Sequence, residues 1–343
     1  MAKATTTLPR KLKQPPISPL VGLVLGLIIL LISLVYSVTL GAAEIPLRQI
    51  LASFVTFDGS YDHLVIQTVR LPRSLVALLV GAALAVSGAL MQGLTRNPLA
   101  DPGILGIESG AALAVVATIF VFGSSSLGVL TVMAFLGAGV TAMLVYFLGS
   151  LGRGGPTPLN LTVAGAALTA LISSLTTAIL IVSQRTLEEI RFWLAGSLAG
   201  RDFNILLQAL PFVVIGLVVA FALGRQITTM SLGEDVAKGL GQQTAWVKIM
   251  TAISVVLLAG SSVSLAGPIG FIGLVVPHMV RFFIKADYRW ILPYSAVLGA
   301  TLLLIADIAA RILLKPQELP VGVMTALVGA PFFVYLAKSK VKK

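Results

Sequence analysis

The chain has 343 residues, of which 57% are hydrophobic and 11% charged, with a mean hydropathy of +1.01 and a formal net charge of +11. That charged share is about half of what a soluble domain carries, so polar groups are too few to cover a water-facing globule, and a bilayer is the solvent that remains. There is no cysteine, which excludes disulfides and thiolate metal sites.

In chain order, Lys3, Arg10, Lys11 and Lys13 precede an apolar run over 20–40. A signal peptide also opens on basic residues, but its apolar region is only about 7–15 residues long. The run here is long enough to cross the hydrocarbon core, which takes about 20 residues. It reads as a retained first span behind a basic cytoplasmic segment, 1–19. Further candidate spans follow at 72–93, 103–122, 127–149, 161–183, 204–223, 246–266, 270–284, 291–313 and 321–337. The expectation is an all-α, polytopic membrane protein of about ten transmembrane helices, with one permease-sized domain over 20–337 and a basic cytoplasmic tail over 338–343. Alternating polar and apolar strands are absent, which argues against a membrane β-barrel.

The polar stretch 41–71 predicts a small surface helix over 46–57 and leaves His63 in a solvated loop. Arg70 and Arg73 then flank Pro72, where a long helix begins. Cations at a helix N-terminus oppose its dipole, at about 0.3–1 kcal/mol each, so something must compensate. Lipid phosphate and the carboxylates of a docking partner are the two candidates.

The stretch GLTRNPLADPGILGIESG, 93–110, places Asn97, Pro98, Asp101 and Pro102 between two apolar runs. Each proline lacks an N–H and pushes the preceding residue away from helix. Asp101 fits the N-cap of a helix opening at Pro102 and Gly103. The pattern predicts a bent, re-entrant segment, and Gly103, Gly106 and Gly110 allow close approach of a neighbouring backbone. A tight cytoplasmic turn and a pathway-lining role both fit. Glu108, one turn further on, is an acid at membrane depth or a capping residue near a helix start.

Residues 184–203 form a second polar stretch. In 231–243, SLGEDVAKGLGQQ, Glu234 and Asp235 come first and Lys238 after, matching the dipole of a short helix bracketed by Gly233, Gly239 and Gly241. Such a helix suits docking to a cytosolic protein, or it is a connector. Further on, 268–273 (PIGFIG) echoes 102–106 (PGILG), so that Gly270 and Gly273 repeat the Gly-x-x-Gly of Gly103 and Gly106 five spans later. An odd number of spans inverts the second copy, the plan of an inverted repeat with broken helices; the frequency of Gly and Pro in membrane helices is the plainer explanation. Asp307 and Arg311 stand i,i+4 on one helix, the spacing of an ion pair. With ten spans and both termini inside, the outer cations are Arg48, Arg70, Arg73, Arg185, Arg191, Arg201, Arg311 and Lys315, eight against sixteen inside, which fits the positive-inside rule.

The segments RLPR…GAALAVSGALMQGLTRNPLADPGILGIESGA, SLGEDVAKGLG, AGPIGFIGLVVPHMVR and ADIAAR…ELPVGVMTALVGAPFFVYL together resemble the permease family of bacterial type II ABC importers for iron–siderophore, haem and cobalamin. The likeness runs over nearly the whole chain from about residue 20. It implies a cobalamin-permease-like fold and a transport subunit, not an enzyme, in the bacterial cytoplasmic membrane with both termini cytoplasmic. It also implies a second permease subunit, identical or different, two cytoplasmic ATPase subunits and an extracytoplasmic binding protein. On this resemblance Arg70, Arg73 and Arg311 meet acidic residues of the binding protein. Gly233, Glu234, Asp235, Lys238 and Gly239 form the helix seated in the ATPase. The helix after Thr162 and the segment around Gly103 line the path. This chain is expected to bind no cofactor and no nucleic acid, ATP and magnesium belonging to the ATPase.

An ion-coupled secondary transporter is the rival reading, with Asp101, Glu108 and Asp307 as coupling acids. A membrane enzyme is a weaker one. His63 and His278 are the two histidines, no HExxH motif is present, and GxxxxGK[ST] is absent. His278 follows Pro277, where it packs or caps.

Overall fold

Local capping chemistry sets where the helices begin. The computed structural model describes residues 18–41, 45–123, 125–151, 157–284, 286–314 and 317–341. Most of the basic segment 1–19, the last two residues of the 338–343 tail, and Arg153, Lys285 and Lys315 lie outside the described residues.

The Ser18 hydroxyl accepts from Val21 N–H and Pro19 takes the first helical position, so α1 runs Pro19–Thr39. Next comes α2, Leu47–Val55, and then α3, Tyr61–Val65, which continues through a π-helical turn at Ile66–Arg70 into α4, Leu71–Thr95. A 3₁₀ turn at Pro102–Leu105 leads to α5, Ile107–Phe122, followed by α6, Leu127–Ser150. Thr157 caps α7, Pro158–Val182, and Ser183 caps α8, Gln184–Leu194. Asp202 caps α9, Phe203–Ala222, by accepting from Ile205 N–H at 2.9 Å. The short α10, Gly224–Ser231, and α11, Glu234–Gly239, precede α12, Thr244–Ala266. The last three are α13, Ile272–Phe283, α14, Tyr288–Ile312, and α15, Val321–Val341.

Seven of these helical stretches are long and apolar enough to cross a membrane, and α5, α13 and the first part of α15 are shorter apolar helices. Each of the ten expected spans therefore finds its helix. No strand occurs among the described residues.

The apolar window of α4 is 83% buried, whereas those of α1 and α7 are 17% buried. Thus α4 is the axis of the bundle, packed on α14, α12, α13 and α9, while α1 and α7 lie at its edge. Close packing on α4 depends on glycine. A Cβ at Gly88 would run into the Gly273 backbone, and one at Gly81 into that of Gly299. Such small-residue contacts let membrane helices meet backbone to backbone.

Following the chain through alternating spans defines two ends. Here α1 begins at the near end, where α10 and α11 also lie; the C-terminus of α1, with α2, α3 and α8, lies at the far end. One local expectation fails. His63 is 2% exposed rather than solvated: its Nδ1 lies 2.8 Å from Asp58 Oδ1 and its ring stacks on Phe57. His278 packs edge-on against Phe282 and Phe332.

Candidate functional site

At the far end, Arg70, Arg73 and Arg311 converge, but they are 7%, 8% and 4% exposed. Their compensation is internal, which neither expected candidate supplied. Arg73 donates through Nε and Nη2 to Asp307 Oδ1 at 3.0 and 2.9 Å, and through Nη1 to Glu318 Oε2 at 2.6 Å. Arg311 Nη1 donates to the carbonyls of Ser37 and Leu40 at 2.9 and 2.8 Å, and Nη2 to Ser37 Oγ at 2.9 Å. Arg70 Nη1 donates to the carbonyls of Val38 and Thr39 at 3.0 and 2.7 Å. The last carbonyls of a helix have no intrahelical donor, and cations suit the negative end of the dipole. Two of the three arginines therefore cap α1, and the third is held by α14 and the α14–α15 loop. The expected Asp307–Arg311 pair forms at 3.1 Å. As a correction to the sequence reading, these guanidiniums are not offered at the surface; Glu318, whose side chain is 38% exposed, stands between Arg73 and solvent.

In the middle of the bundle the two Gly-x-x-Gly segments meet. Asn97 closes a turn by accepting from Leu99 N–H at 3.0 Å, with Pro98, half-buried, inside that turn. Asp101 caps the 3₁₀ turn, accepting from Gly103 N–H at 2.8 Å. The left-handed residue just before α5 is Gly106, φ 69°, and the one just before α13 is Phe271, φ 71°. Position matches, although one site uses the expected glycine and the other a phenylalanine. A Cβ on Gly273 would lie 3.1 Å from Asp101 Oδ2 and 3.2 Å from Pro102 Cδ, so any larger residue here would crowd the contact between the segments. Asp101, Pro102, Gly103, Glu108 and Gly273 line an internal cavity of about 10 Å³, room for about one water. Gly270 is exposed beside it, with open space where a Cβ would stand.

The edge helix α7 seats on this turn. A Cβ on Gly165 would strike the Ile104 carbonyl, and Ser109 Oγ lies 3.5 Å from Thr169 Oγ1. Away from this contact α7 exposes Thr162, Ser173, Ser174 and Thr177. The hydroxyls of Thr162 and Ser174 are turned back onto Pro158 and Ala170 carbonyls.

At the near end, α11 is braced rather than loose. Glu234 accepts from Lys248 Nζ at 2.8 Å and lies 3.2 Å from Lys238 Nζ. The Lys248 hydrogen bond, with Lys238 assisting, holds the Glu234 carboxyl below the usual carboxylate range. Gly233 takes φ 131° to turn the chain into the helix. Asp235, Lys238 and Gly239 are exposed. So are Leu232, Val236 and Leu240, at 68%, 47% and 70%: Val236 on α11 itself, Leu232 in the turn before it and Leu240 at its C-cap. Sequence reasoning weighed the charges of this segment and passed over that apolar set, whose i, i+4, i+8 spacing was its signal.

A second near-end cluster was also missed. Gln92 donates to the carbonyls of Gly273 and Leu274, each at 3.2 Å, and accepts from Arg281, which also donates to Tyr288 Oη at 2.8 Å. Nothing in the local sequence around Gln92 signals these partners. No group of three or more potential metal ligands occurs among the described residues.

Comparison with known proteins agrees with this architecture. The sequence profile described as the FecCD transport family matches residues 29–339. The chain is 51% identical to the "Probable siderophore transport system permease protein YfiZ" of Bacillus subtilis (strain 168), over 93% of this chain and 96% of that protein. It is 41% identical to the ferric enterobactin transport system permease protein FepD of Escherichia coli (strain K12), over 92% of this chain and 94% of that protein. The structure titled "An inward-facing conformation of a putative metal-chelate type ABC transporter" superposes with a TM-score of 0.82 at 34% identity, covering 92% of this chain and 98% of that one.

Proposed function

The chain belongs to the FecCD transport family and is a multi-pass membrane permease of an ABC importer for iron complexes; on that premise we propose that its cargo is an iron–siderophore chelate crossing the bacterial cytoplasmic membrane inward. The near end then faces the cytoplasm, with both termini, and the far end faces outward. The chain supplies the conduit and no catalytic residue; ATP and magnesium belong to two ATPase subunits.

The observation that carries this reading is the exposed apolar set of Val236 on the braced α11 and Leu232 and Leu240 flanking it, beyond the ends of the spans. Exposed apolar side chains at helical spacing are the usual means by which a short helix seats in a groove of a partner. Glu234, tied to Lys248 at the start of α12, makes α11 rigid with the bundle, so a push on α11 moves α12. Gly233, Glu234, Asp235, Lys238 and Gly239 are thereby assigned to ATPase coupling.

A second permease subunit faces α7 and closes the path. Its lining combines the exposed face of α7 with the re-entrant segment from Asn97, Pro98, Asp101, Pro102, Gly103 and Gly106 to Glu108, and with Gly270 and Gly273. Hydroxyls already bonded to their own helix give a lining with few free donors, suited to a conduit that leaves selection to the binding protein. Arg70, Arg73 and Arg311 act at the far end as positioning residues, holding α1, α4 and the α14–α15 loop in one docking surface. The ion-coupled alternative is not favoured, because it gives no role to the exposed apolar set at α11. Affinity isolation of the chain in mild detergent tests the proposal. An ATPase and an extracytoplasmic binding protein are expected to co-purify, and substituting Val236 and Leu240 by Asp is expected to lose the ATPase alone. Isolation of the chain free of any ATPase would count against the reading.

A further inference from the structure

Between α6 and α12 the bundle leaves a groove of about 670 Å³. Its rim is built of long side chains, Leu136, Val140, Met143 and Phe147 on α6 and Ile249 and Ile253 on α12, all exposed. Its bed is built of small ones. Gly139, Ala142 and Ala252 line it, and nothing lies within 4 Å of where a Cβ on Gly139 would stand. Phe135 bounds it toward the far end, with its ring centroid 4.7 Å from that of Phe212 on α9. The two polar side chains in the described lining, Tyr146 and Ser150, belong to the last turns of α6, at the near end. Ser150 Oγ already donates to the Phe147 carbonyl at 2.6 Å. On α12 the lining from Ile249 to Leu257 covers about 12 Å at the rise of an α-helix. Half of the bilayer's hydrocarbon core is about 15 Å, so the groove has the depth of one leaflet.

Protein interiors are packed as closely as organic crystals, and an apolar void forfeits the dispersion contacts of its walls. A groove of this size is therefore filled. A helix of a second subunit and a lipid chain both have the right polarity. Membrane helices meet where small residues let backbones touch. Here the small residues lie beneath a rim of Met143, Phe147, Ile249 and Ile253, which holds a second backbone off and admits an unbranched chain. The groove is also continuous with the surface that this membrane permease presents to hydrocarbon, where Leu144 of α6 is exposed. Trp246, exposed in the first turn of α12, stands at the level where tryptophan meets lipid headgroups. Leu105, the last residue of the 3₁₀ turn Pro102–Leu105, lines the groove too. An occupant therefore touches the re-entrant turn directly.

We propose that this groove binds one acyl chain of a phospholipid from the near-end leaflet, with the headgroup beside Tyr146 and Ser150, and that the bound chain braces the re-entrant turn through Leu105. The inference is independent of the cargo.

The test uses the complete transporter in nanodiscs of phosphatidylethanolamine and phosphatidylglycerol, the latter carrying a diazirine on its acyl chain, with adducts mapped by mass spectrometry. Adducts are expected to concentrate on Met143, Ala252 and Ile253. G139F, which fills the open space at Gly139, should lower them at least about tenfold, since the loss of seats for two methylenes is already worth that much. Adducts on the exposed face of α1, around Leu31, should not change. M143W, at a side chain 72% exposed, carries the test if G139F does not assemble. Hydrogen exchange over residues 99–107 should rise when wild type is delipidated in mild detergent and fall again when phosphatidylglycerol is returned. Adducts no denser in the groove than on α1, or exchange of the turn indifferent to lipid, overturn the inference. So does oxidative cross-linking of M143C, the one cysteine in that variant, to a second permease subunit bearing a cysteine, because the groove would then be a subunit contact.

Discussion

Gln92 donates its side-chain amide to the Gly273 carbonyl at 3.2 Å, the acceptor that Pro277 leaves without a helical donor. In an α-helix the N–H of residue 277 would bond that carbonyl, and proline has none. The central helix α4 thus completes the first turn of α13, at the point where α13 leaves the re-entrant segment.

Replacing Gln92 by Leu should therefore destabilise the permease by about 1–3 kcal/mol, the cost of buried polar groups left without partners. Adding P277A, which restores the N–H, should recover part of the loss. Thermal unfolding of the detergent-solubilised protein reads both, and additive losses in the double variant would contradict the assignment.

Asp307 is 0% exposed and lies between two buried guanidiniums, at 2.9 Å from Arg73 and 3.1 Å from Arg311. Removing its charge leaves like charges facing each other in an apolar setting. D307N is expected to cost about 3–5 kcal/mol, as for breaking a buried ion pair. An unchanged melting temperature would show the pairs to be incidental.

Changing Val236 and Leu240 to Asp should leave the bundle folded, because both side chains are exposed at the near end. The ATPase should then no longer co-purify with the permease, so that loaded binding protein stimulates no ATP hydrolysis, while docking at the far end persists. Loss of docking together with coupling would mean that the variant had unfolded the chain instead.

The Glu234 brace makes a prediction about pH. Its carboxyl is depressed in the folded chain, so its contribution is fully present above the unfolded value near about 4.3 and is lost as pH falls through the folded value. Because the groups are partly exposed, it is worth less than about 1 kcal/mol. Hydrogen exchange of α11, corrected for intrinsic rates, should be flat from pH 5 to 8 and rise below that. E234Q should abolish the acid-side rise, and a change centred near neutrality would assign the brace to another group.

Hydropathy alone located all ten apolar helices, seven of them long enough to cross a membrane, because lipid asks the same of every spanning residue. The Asp101–Gly103 cap and the Asp307–Arg311 pair were also legible, since both join residues within one turn. Arg73 and Asp307 are 234 positions apart, and Gln92 and Gly273 are 181 apart; no local pattern announces such partners. For that reason the internal partners of the far-end arginines, which cap α1 and brace α14, were not foreseen. His63 misled although its partners are local, because the chain before it folds Phe57 and Asp58 back onto the ring.

The central claim is that this chain is a passive conduit driven from its near end by the nucleotide chemistry of a separate ATPase. Uptake of a ferric siderophore into proteoliposomes tests it most directly, comparing the chain alone, under an imposed proton or sodium gradient, with the complete complex given ATP and loaded binding protein. The account predicts accumulation against a gradient by the complete complex and none by the chain alone. Concentrative uptake by the chain alone would contradict it.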